Sequence, residues 1–197
     1  IHCPLLSLPY KFSTTLKNIP FNDKYIFPNR DRIIKWKKNF DNKFYNIGIN
    51  WQASPNPDLD KGRSFQLKYF HDISSIDKIK LYSLQKKNGL EQINENIEKL
   101  NLNVIDNLDE NSPFVDTAAI IENLDLVITC DTSIAHLSGA IGKETFLLLQ
   151  KNSEWRWLRD IDYSPWYNSI KIYRQKSQDD WHFVFDEVKK DIKRLIN

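Results

Sequence analysis

The amino-acid sequence predicts an α/β fold in which a doubly wound parallel sheet carries helices on both faces. Short apolar runs typical of buried strands alternate with helical apolar patterns along most of the 197 residues. Such alternation favours parallel strands joined by helical crossovers. Hydrophobic residues make up 41% of the chain, which is enough for one core of ordinary size. We therefore expect one principal domain with a short additional element.

The first 28 residues are predicted to lie outside that principal domain. They hold four of the eight prolines, which favour extended backbone and turns over helix. We interpret residues 1–28 as a linker or the end of a preceding domain, and residues 29–197 as the principal domain. The sequence begins at isoleucine and contains no methionine, so we expect it to be a fragment of a longer protein.

Hydrophobic periodicity predicts the regular elements of the principal domain. A short helix opens it, with one face formed by Ile33, Trp36, Lys37 and Phe40. The predicted strands are residues 46–51, 79–84, 104–105, 126–129, 145–149 and 170–173. Helical patterns lie near residues 64–71, 89–100, 115–123 and 132–141. The last helix has the clearest apolar stripe, formed by Trp181, Val184, Phe185, Val188, Ile192 and Leu195.

Composition and charge argue against several classes of function. Lys and Arg total 28 against 26 Asp and Glu, so no strong field would gather a nucleic acid. No apolar stretch approaches the roughly 20 residues that a membrane-spanning helix needs. Cys3 and Cys130 stand far apart, without neighbours at metal-ligand spacing. We therefore expect no metal, no membrane span and a reducing, cytoplasmic location.

The strongest candidate site follows the predicted strand 126–129. Asp131 turns the chain, Thr132 and Ser133 open a helix, and His136 lies one helical turn later. Free N–H groups and the positive end of the helix dipole would bind a phosphate there, with the two hydroxyls adding hydrogen bonds. The alternative is structural. In that case Asp131 is an N-cap, Thr132 and Ser133 are ordinary first-turn residues, and His136 is a hydrogen-bonded interface side chain.

A second candidate site follows the first predicted strand, between residues 54 and 64. Lys61 and Arg63 offer cations, and Ser64 is placed to cap the next helix. Asp58 and Asp60 form an Asp-x-Asp pattern, but two carboxylates in a proline-containing loop are more often solvated turn residues than metal ligands. The alternative interpretation of Lys61 and Arg63 is that both are exposed charges without a role in binding.

Two further loops carry polar or aromatic side chains. Gln85 is a candidate for pairing with a nucleobase edge and Lys86 for contacting a phosphate or ribose oxygen, unless both are simply polar loop residues. Asp116 and Thr117 are interpreted chiefly as an N-cap. The connection 155–167 is rich in aromatic residues, which would line a sugar or a base or would pack the loop against the core.

The order and spacing of these strings resemble a known group of enzymes. The strings are Leu5-Leu6-Ser7-Leu8-Pro9, Trp51, Arg63-Ser64, Ser83-Leu84-Gln85, Asp116-Thr117-Ala118-Ala119, Leu124-Asp125-Leu126-Val127-Ile128, Asp131-Thr132-Ser133-Ile134-Ala135-His136-Leu137, Trp155-Arg156-Trp157, Ser164-Pro165-Trp166-Tyr167 and Arg174-Gln175. In these the chain resembles bacterial glycosyltransferases that carry tetratricopeptide repeats. The Asp-Thr-Ser-x-x-His element is similar to the Asp-Thr-Gly-x-x-His of ADP-heptose–lipopolysaccharide heptosyltransferases. A more distant resemblance is to O-linked N-acetylglucosamine transferases.

The resemblance implies a GT-B architecture, in which two Rossmann-like domains face one another and the C-terminal one binds the nucleotide-sugar donor. This chain would be that C-terminal domain, with residues 1–28 as the end of the N-terminal domain. Thr132, Ser133 and His136 would meet the diphosphate or the sugar, and Asp131 would shape the turn or contact the donor sugar. The remaining predicted donor-site residues are Lys61, Arg63, Ser64, Gln85 and Lys86.

The expected activity is an inverting, metal-independent transfer of a sugar from a nucleotide-diphosphate sugar to an acceptor, with no cofactor. The general base would come from the N-terminal GT-B domain, so the chain alone would be inactive. Two alternatives remain open. One is a module that binds a nucleotide or a partner protein without catalysis, and the other is a sugar-nucleotide epimerase of similar architecture. The sugar, its base and the acceptor are not identified by the sequence.

Overall fold

A computed structural model of the protein describes residues 2–20, 23–54, 56–96, 98–110 and 112–196. In these residues the chain forms a six-stranded sheet in the order β3-β2-β1-β4-β5-β6, and every adjacent pair of strands is parallel. The strands are β1 (Tyr45–Asn50), β2 (Ile79–Ser83), β3 (Leu102–Asn103), β4 (Leu126–Cys130), β5 (Thr145–Leu149) and β6 (Ile170–Arg174). The predicted α/β class with a parallel sheet is confirmed.

The helices of the described residues lie before, between and after the strands. They are α1 (Leu8–Lys11), α2 (Arg30–Lys37), α3 (Pro57–Asp60), α4 (His71–Ser74), α5 (Glu91–Asn96), α6 (Val115–Asn123), α7 (Ser133–Ile141) and α8 (Trp181–Ile196). Short 3-10 helices span Leu5–Ser7, Leu67–Phe70 and Trp155–Trp157. None of these helices has both the length and the apolar character that crossing a bilayer requires.

Two sequence predictions of element position were wrong. The third strand lies at Leu102–Asn103 instead of residues 104–105, and Ile105 packs in the core beside α6. The pattern near 64–71 is a 3-10 turn followed by the short helix α4. A longer helix cannot start at residue 64, because the Phe65 N–H donates to the Trp51 carbonyl and holds the chain extended beside the end of β1.

Apolar side chains cover both faces of the sheet. On one face, Ile47, Ile49 and Leu81 pack with α8 and with the segment that includes Leu67 and Phe70. On the other face, Val127 packs with α2, α6 and α7. The predicted stripe of α8 is confirmed for Trp181, Val184, Phe185, Val188 and Ile192, which are all buried. Its last member, Leu195, is 42% exposed, so the stripe ends at Ile192. Helices on both faces leave the carboxyl edge of the sheet as the open side of the fold.

The segment before α2 contacts the end of α7. The backbone N–H groups of Tyr25 and Ile26 both donate to the Ala140 carbonyl, each at 3.0 Å. Gly142 ends α7 in the left-handed region, at φ +79°, and a Cβ there would lie 2.7 Å from the Asp23 carbonyl oxygen. A glycine is therefore required at this close approach. The division of the chain at residue 28 stays a prediction.

Candidate functional site

A cavity of about 380 Å³ opens at the carboxyl edge of the sheet. It lies where β1 and β4 are neighbours. From β1 the chain continues to β2 on one side, and from β4 it continues to β5 on the other side. Open α/β sheets bind ligands at such a switch point. Residues after β1, β2 and β4 line the cavity, among them Asn50, Arg63, Gln85, Lys86, Asp131, Thr132 and Ser133.

Asn50, at the end of β1, links three strands beneath this cavity. Its Oδ1 accepts hydrogen bonds from Thr132 Oγ1 at 2.9 Å and from Thr129 Oγ1 at 3.2 Å. Its Nδ2 donates to Gln85 Oε1 at 2.8 Å, and the residue is only 4% exposed. Sequence reasoning missed Asn50 as a site residue. The available signal was a polar side chain at the last position of a buried apolar strand.

The turn after β4 places Thr132, and not Asp131, at the N-cap of α7. Thr132 has extended backbone, and its Oγ1 accepts a hydrogen bond from the Ile134 N–H at 3.3 Å. The alternative interpretation of Asp131 as the cap is therefore wrong. Ser133 is exposed in the first turn of the helix. The positive end of the α7 dipole and the Ser133 hydroxyl thus meet at the cavity, as an anion site requires.

The side-chain amide of Gln85 is fully hydrogen-bonded to the residues that surround it. Its Oε1 accepts from Asn50 Nδ2 and from the Trp51 and Gln52 N–H groups, and its Nε2 donates to the Gln52 and Asn88 carbonyls. The side chain is 7% exposed. Both amide hydrogens and the carbonyl oxygen are in use, so pairing with a nucleobase edge would break this network. The structure gives Gln85 the task of holding the ends of β1 and β2 together.

Two cations, Arg63 and Lys86, border the cavity. Arg63 Nη1 donates to the Asp131 carbonyl at 3.3 Å, which ties the loop after β1 to the turn after β4. Lys86 is exposed, and its Nζ lies 3.1 Å from the Asp109 carbonyl. A guanidinium and an ammonium beside a helix N-terminus favour an anionic ligand.

The structure separates Lys61 and Ser64 from this cavity. Lys61 is exposed at φ +50° and is not part of the cavity lining. Ser64 does not cap a helix, because its Oγ donates to Asp60 Oδ1 at 2.6 Å and accepts from the Ala53 N–H at 2.9 Å. Within the described ranges, no group of three or more His, Cys, Asp or Glu side chains is arranged to hold a metal ion.

The interpretation of Asp116 as an N-cap is also wrong. Its carboxylate accepts from Arg32 Nη1 at 2.7 Å and from Trp36 Nε1 at 2.8 Å, so it ties α6 to α2. Burial opposes ionisation of this carboxyl, but the two donors outweigh it and hold its pKa below the usual range. The N–H groups of Asp116 and Thr117 instead donate to Asp109 Oδ1, at 2.8 and 3.0 Å. Sequence reasoning missed Asp109.

His136 faces a second cavity, of about 680 Å³, on the side of α7 toward the connection 155–167. Its ring stacks on Trp157, with ring centroids 5.1 Å apart, and its Nδ1 lies 3.1 Å from Tyr167 Oη. Burial lowers the pKa of His136, which favours the neutral form of the imidazole. The spacing of His136 from Thr132 suggested that His136 would line the first cavity. The structure does not place it in that lining.

The fold and the first cavity together define a doubly wound α/β domain with an open cavity at its switch point. Solved structures with a similar fold include E. coli ADP-heptose lps heptosyltransferase II, at a TM-score of 0.62 and 14% identity over 86% of this chain. A second is the glycosyl transferase family 9 protein from Veillonella parvula DSM 2008, at a TM-score of 0.59 and 15% identity over 86% of this chain. A third is E. coli heptosyltransferase WaaC with ADP-2-deoxy-2-fluoro heptose, at a TM-score of 0.56 and 10% identity over 82% of this chain. The chain covers 52%, 47% and 47% of these proteins, respectively, or about half of each.

Sequence comparison gives a more limited result. No family model matches the chain. Protein FlbA of Caulobacter vibrioides (strain ATCC 19089 / CIP 103742 / CB 15) is 24% identical over 175 residues, which cover 85% of this chain and 28% of that protein. The chain therefore has the fold of glycosyltransferase domains and spans a minor part of a longer curated relative.

Proposed function

We propose that this chain binds the donor of a glycosyltransferase, a nucleotide-diphosphate sugar, at the carboxyl edge of its sheet. The single observation that carries the proposal is the junction of the α7 N-terminus with the cavity between β1 and β4. Thr132 caps the helix there, Ser133 presents a hydroxyl, and Arg63 and Lys86 supply positive charge. A diphosphate matches this combination of dipole, hydroxyl and cations.

The comparisons support the same class of ligand. Solved proteins of similar fold are named for ADP-heptose, and one was solved with ADP. The transferred sugar would be a hexose or heptose, in a tetratricopeptide-associated transferase of GT-B architecture whose acceptor is unknown. Residues 1–28 would belong to the end of the other GT-B domain. Two free cysteines far apart in the chain suit a reducing cytoplasm.

The proposed mechanism is inverting and metal-independent. As the diphosphate leaves the sugar, negative charge grows on the phosphate oxygens, and the α7 dipole with Lys86 and Arg63 would offset it. The acceptor hydroxyl attacks the opposite face of the sugar and loses its proton to a base. That base would be supplied by the N-terminal domain of the intact transferase.

Calorimetric titration tests the proposal directly. ADP, UDP and GDP would each be titrated up to millimolar concentration, with and without a chelator, into folded protein. We expect one of them to bind, with an affinity that the chelator leaves unchanged. Lys86→Gln should weaken that binding by about tenfold, the loss expected for a charge-assisted hydrogen bond.

Lys193→Gln is the charge-matched control, because Lys193 lies on α8 and outside the cavity lining. It should leave the affinity unchanged. Absence of heat with all three nucleotides would contradict the donor site. Loss of affinity in chelator would instead contradict only the metal-independent mechanism.

A further inference from the structure

The second cavity is rich in aromatic rings, with Ile19, Pro20 and Arg156 completing its lining, and lies beside the proposed diphosphate site. Its walls come from α7, from the connection 155–167 and from Ile19, Pro20 and Tyr25. The side chains that matter are Tyr25, His136, Trp155, Arg156, Trp166 and Tyr167. At about 680 Å³, its size falls within the range of small-molecule sites.

Packing of the connection against the core does not account for all of these rings. Trp157 is fully buried and fixes the connection against α7. Trp166 donates its indole N–H to the Arg156 carbonyl at 2.7 Å, which braces the connection internally. Trp155 does not pack into the core in this way, because it is 68% exposed and lines the cavity. An indole held in solvent beside a cavity is typical of a ligand contact.

The polar groups of this cavity are few and suited to hydroxyls. Arg156 lies over the Trp155 ring, 5.4 Å from its centroid, and its Nη1 pairs with Glu154 at 2.8 Å, so its positive charge is balanced. His136 uses Nδ1 for Tyr167, and its Nε2 has no partner within the part of the chain that the structure describes. A neutral imidazole and a paired guanidinium favour an uncharged hydroxylated ligand over a second phosphate.

The position of the aromatic cavity relative to the proposed diphosphate site indicates which part of the substrate would lie in it. His136 follows Ser133 by three residues on α7, which is about one helical turn, or roughly 5 Å along the axis. A sugar ring joined to a diphosphate at Ser133 would lie at that distance. The nucleoside would lie on the opposite side, toward the loop after β2 that contributes Lys86.

We propose that this aromatic cavity binds a pyranose ring, with the Trp155 face against the apolar side of the sugar and with His136 and Arg156 contacting its hydroxyls. The ring belongs either to the transferred sugar of the donor or to an acceptor saccharide. The assignment of those two sources rests on the proposed glycosyltransferase function. The cavity and its sugar chemistry rest on the aromatic rings themselves.

The experiment compares ligands on the wild-type chain and on two exposed aromatic variants. Binding of ADP, UDP and GDP, of ADP-glucose, UDP-glucose, UDP-N-acetylglucosamine and GDP-mannose, and of the methyl glycosides of glucose, galactose, mannose and N-acetylglucosamine is measured by saturation-transfer NMR and calorimetry. Trp155→Ala is the test variant. Tyr163→Ala is the matched control, since Tyr163 lies in the same connection, is 60% exposed and does not line the cavity.

We expect Trp155→Ala to weaken sugar binding by about tenfold, as loss of an aromatic contact does, and to leave the bare nucleotide unaffected. If the effect appears with nucleotide sugars only, the ring is the donor's, and if it appears with methyl glycosides, the ring is an acceptor's. Equal affinity of wild type and variant for every sugar would overturn the proposal, even where a nucleotide binds. Weaker binding of the bare nucleotide to Trp155→Ala would also overturn it, because the cavity would then hold the base. Failure of all nucleotides together with Trp155-dependent binding of a methyl glycoside would reject the donor site alone.

Discussion

At the scale of single residues, the turn after β4 shows what sequence could predict and what it could not. The sequence placed Thr132 and Ser133 correctly at the start of a helix beyond a buried strand. It did not show that the two hydroxyls have different tasks. Thr132 donates to Asn50, 82 positions away in the chain, and also accepts from the Ile134 N–H. The hydrogen bond to Asn50 depends on the neighbouring strand β1, so the residues around Thr132 could not predict it.

Thr132→Val should therefore act on stability as well as on binding. Valine removes the N-cap acceptor and leaves Asn50 Oδ1 with one donor fewer, at a cost of about 1–2 kcal/mol in the free energy of unfolding. Urea denaturation measures this cost. Thr132→Ser keeps the oxygen and should restore most of it, whereas Ser133→Ala removes an exposed hydroxyl and should change stability by less than about 0.5 kcal/mol. Equal losses for Thr132→Val and Ser133→Ala would contradict the capping role.

At the scale of elements, α7 joins the two cavities. Its N-terminus borders the first cavity, and its side bearing His136 borders the second. Small residues on α7 let the helix pack closely against two different neighbours. The structure shows that Gly139 approaches the Tyr167 ring of the connection 155–167, whereas Ala135 packs toward the sheet with Leu147 and Leu149. Periodicity could indicate a close approach but could not name the partner, since the connection has little regular structure.

Gly139→Ala should disturb the aromatic cavity from within the helix. The added Cβ would lie 2.4 Å from Tyr167 Cγ, so the ring must move and its hydrogen bond to His136 must lengthen. Overpacking of this kind costs about 1–3 kcal/mol, which exceeds the gain of about 1 kcal/mol that alanine brings to a helix. Thermal denaturation should show a lower Tm.

The same substitution in a Tyr167→Ala background provides the control. With the ring removed, the Cβ meets no clash and the helix propensity of alanine remains, so Gly139→Ala should become neutral or stabilising there. Additive effects of the two substitutions would show that Gly139 does not serve the approach to Tyr167.

At the scale of the whole molecule, the parallel sheet was predictable and the order of its strands was not. Crossovers between parallel strands are right-handed, so the face on which a helix packs decides in which direction the sheet grows. The connections from β1 to β2 and from β2 to β3 pack on the α8 face, through Ile73 and Ile93. The connection to β4 that contains α6 packs on the other face, through Ile120 and Ile121. The sheet therefore adds β4 on the opposite side of β1 from β2. Apolar periodicity does not tell which face a helix will cover, so the site's position between β1 and β4 needed the structure.

The final prediction is that this chain alone binds a nucleotide but does not transfer sugar. Inverting transfer needs a base on the face of the sugar opposite the leaving diphosphate. The diphosphate would sit against the sheet edge, so the base is expected on the far side of the sugar, away from the first cavity. Asp109, which lines the first cavity, accepts from the Asp116 and Thr117 N–H groups and anchors the start of α6. His136 is directed into the aromatic cavity by Trp157 and Tyr167.

Release of nucleoside diphosphate from ADP-glucose, UDP-glucose and GDP-mannose measures the activity. The isolated chain should show no release above a buffer control, with or without a methyl glycoside as acceptor, while calorimetry on the same sample shows binding. In a longer protein that contains this chain and is active, His136→Ala should lower turnover with the fold intact, because it removes a sugar contact in the aromatic cavity. Release by the isolated chain that His136→Ala abolishes would show that the base lies within these residues, and the proposed division of the reaction between two domains would then be wrong.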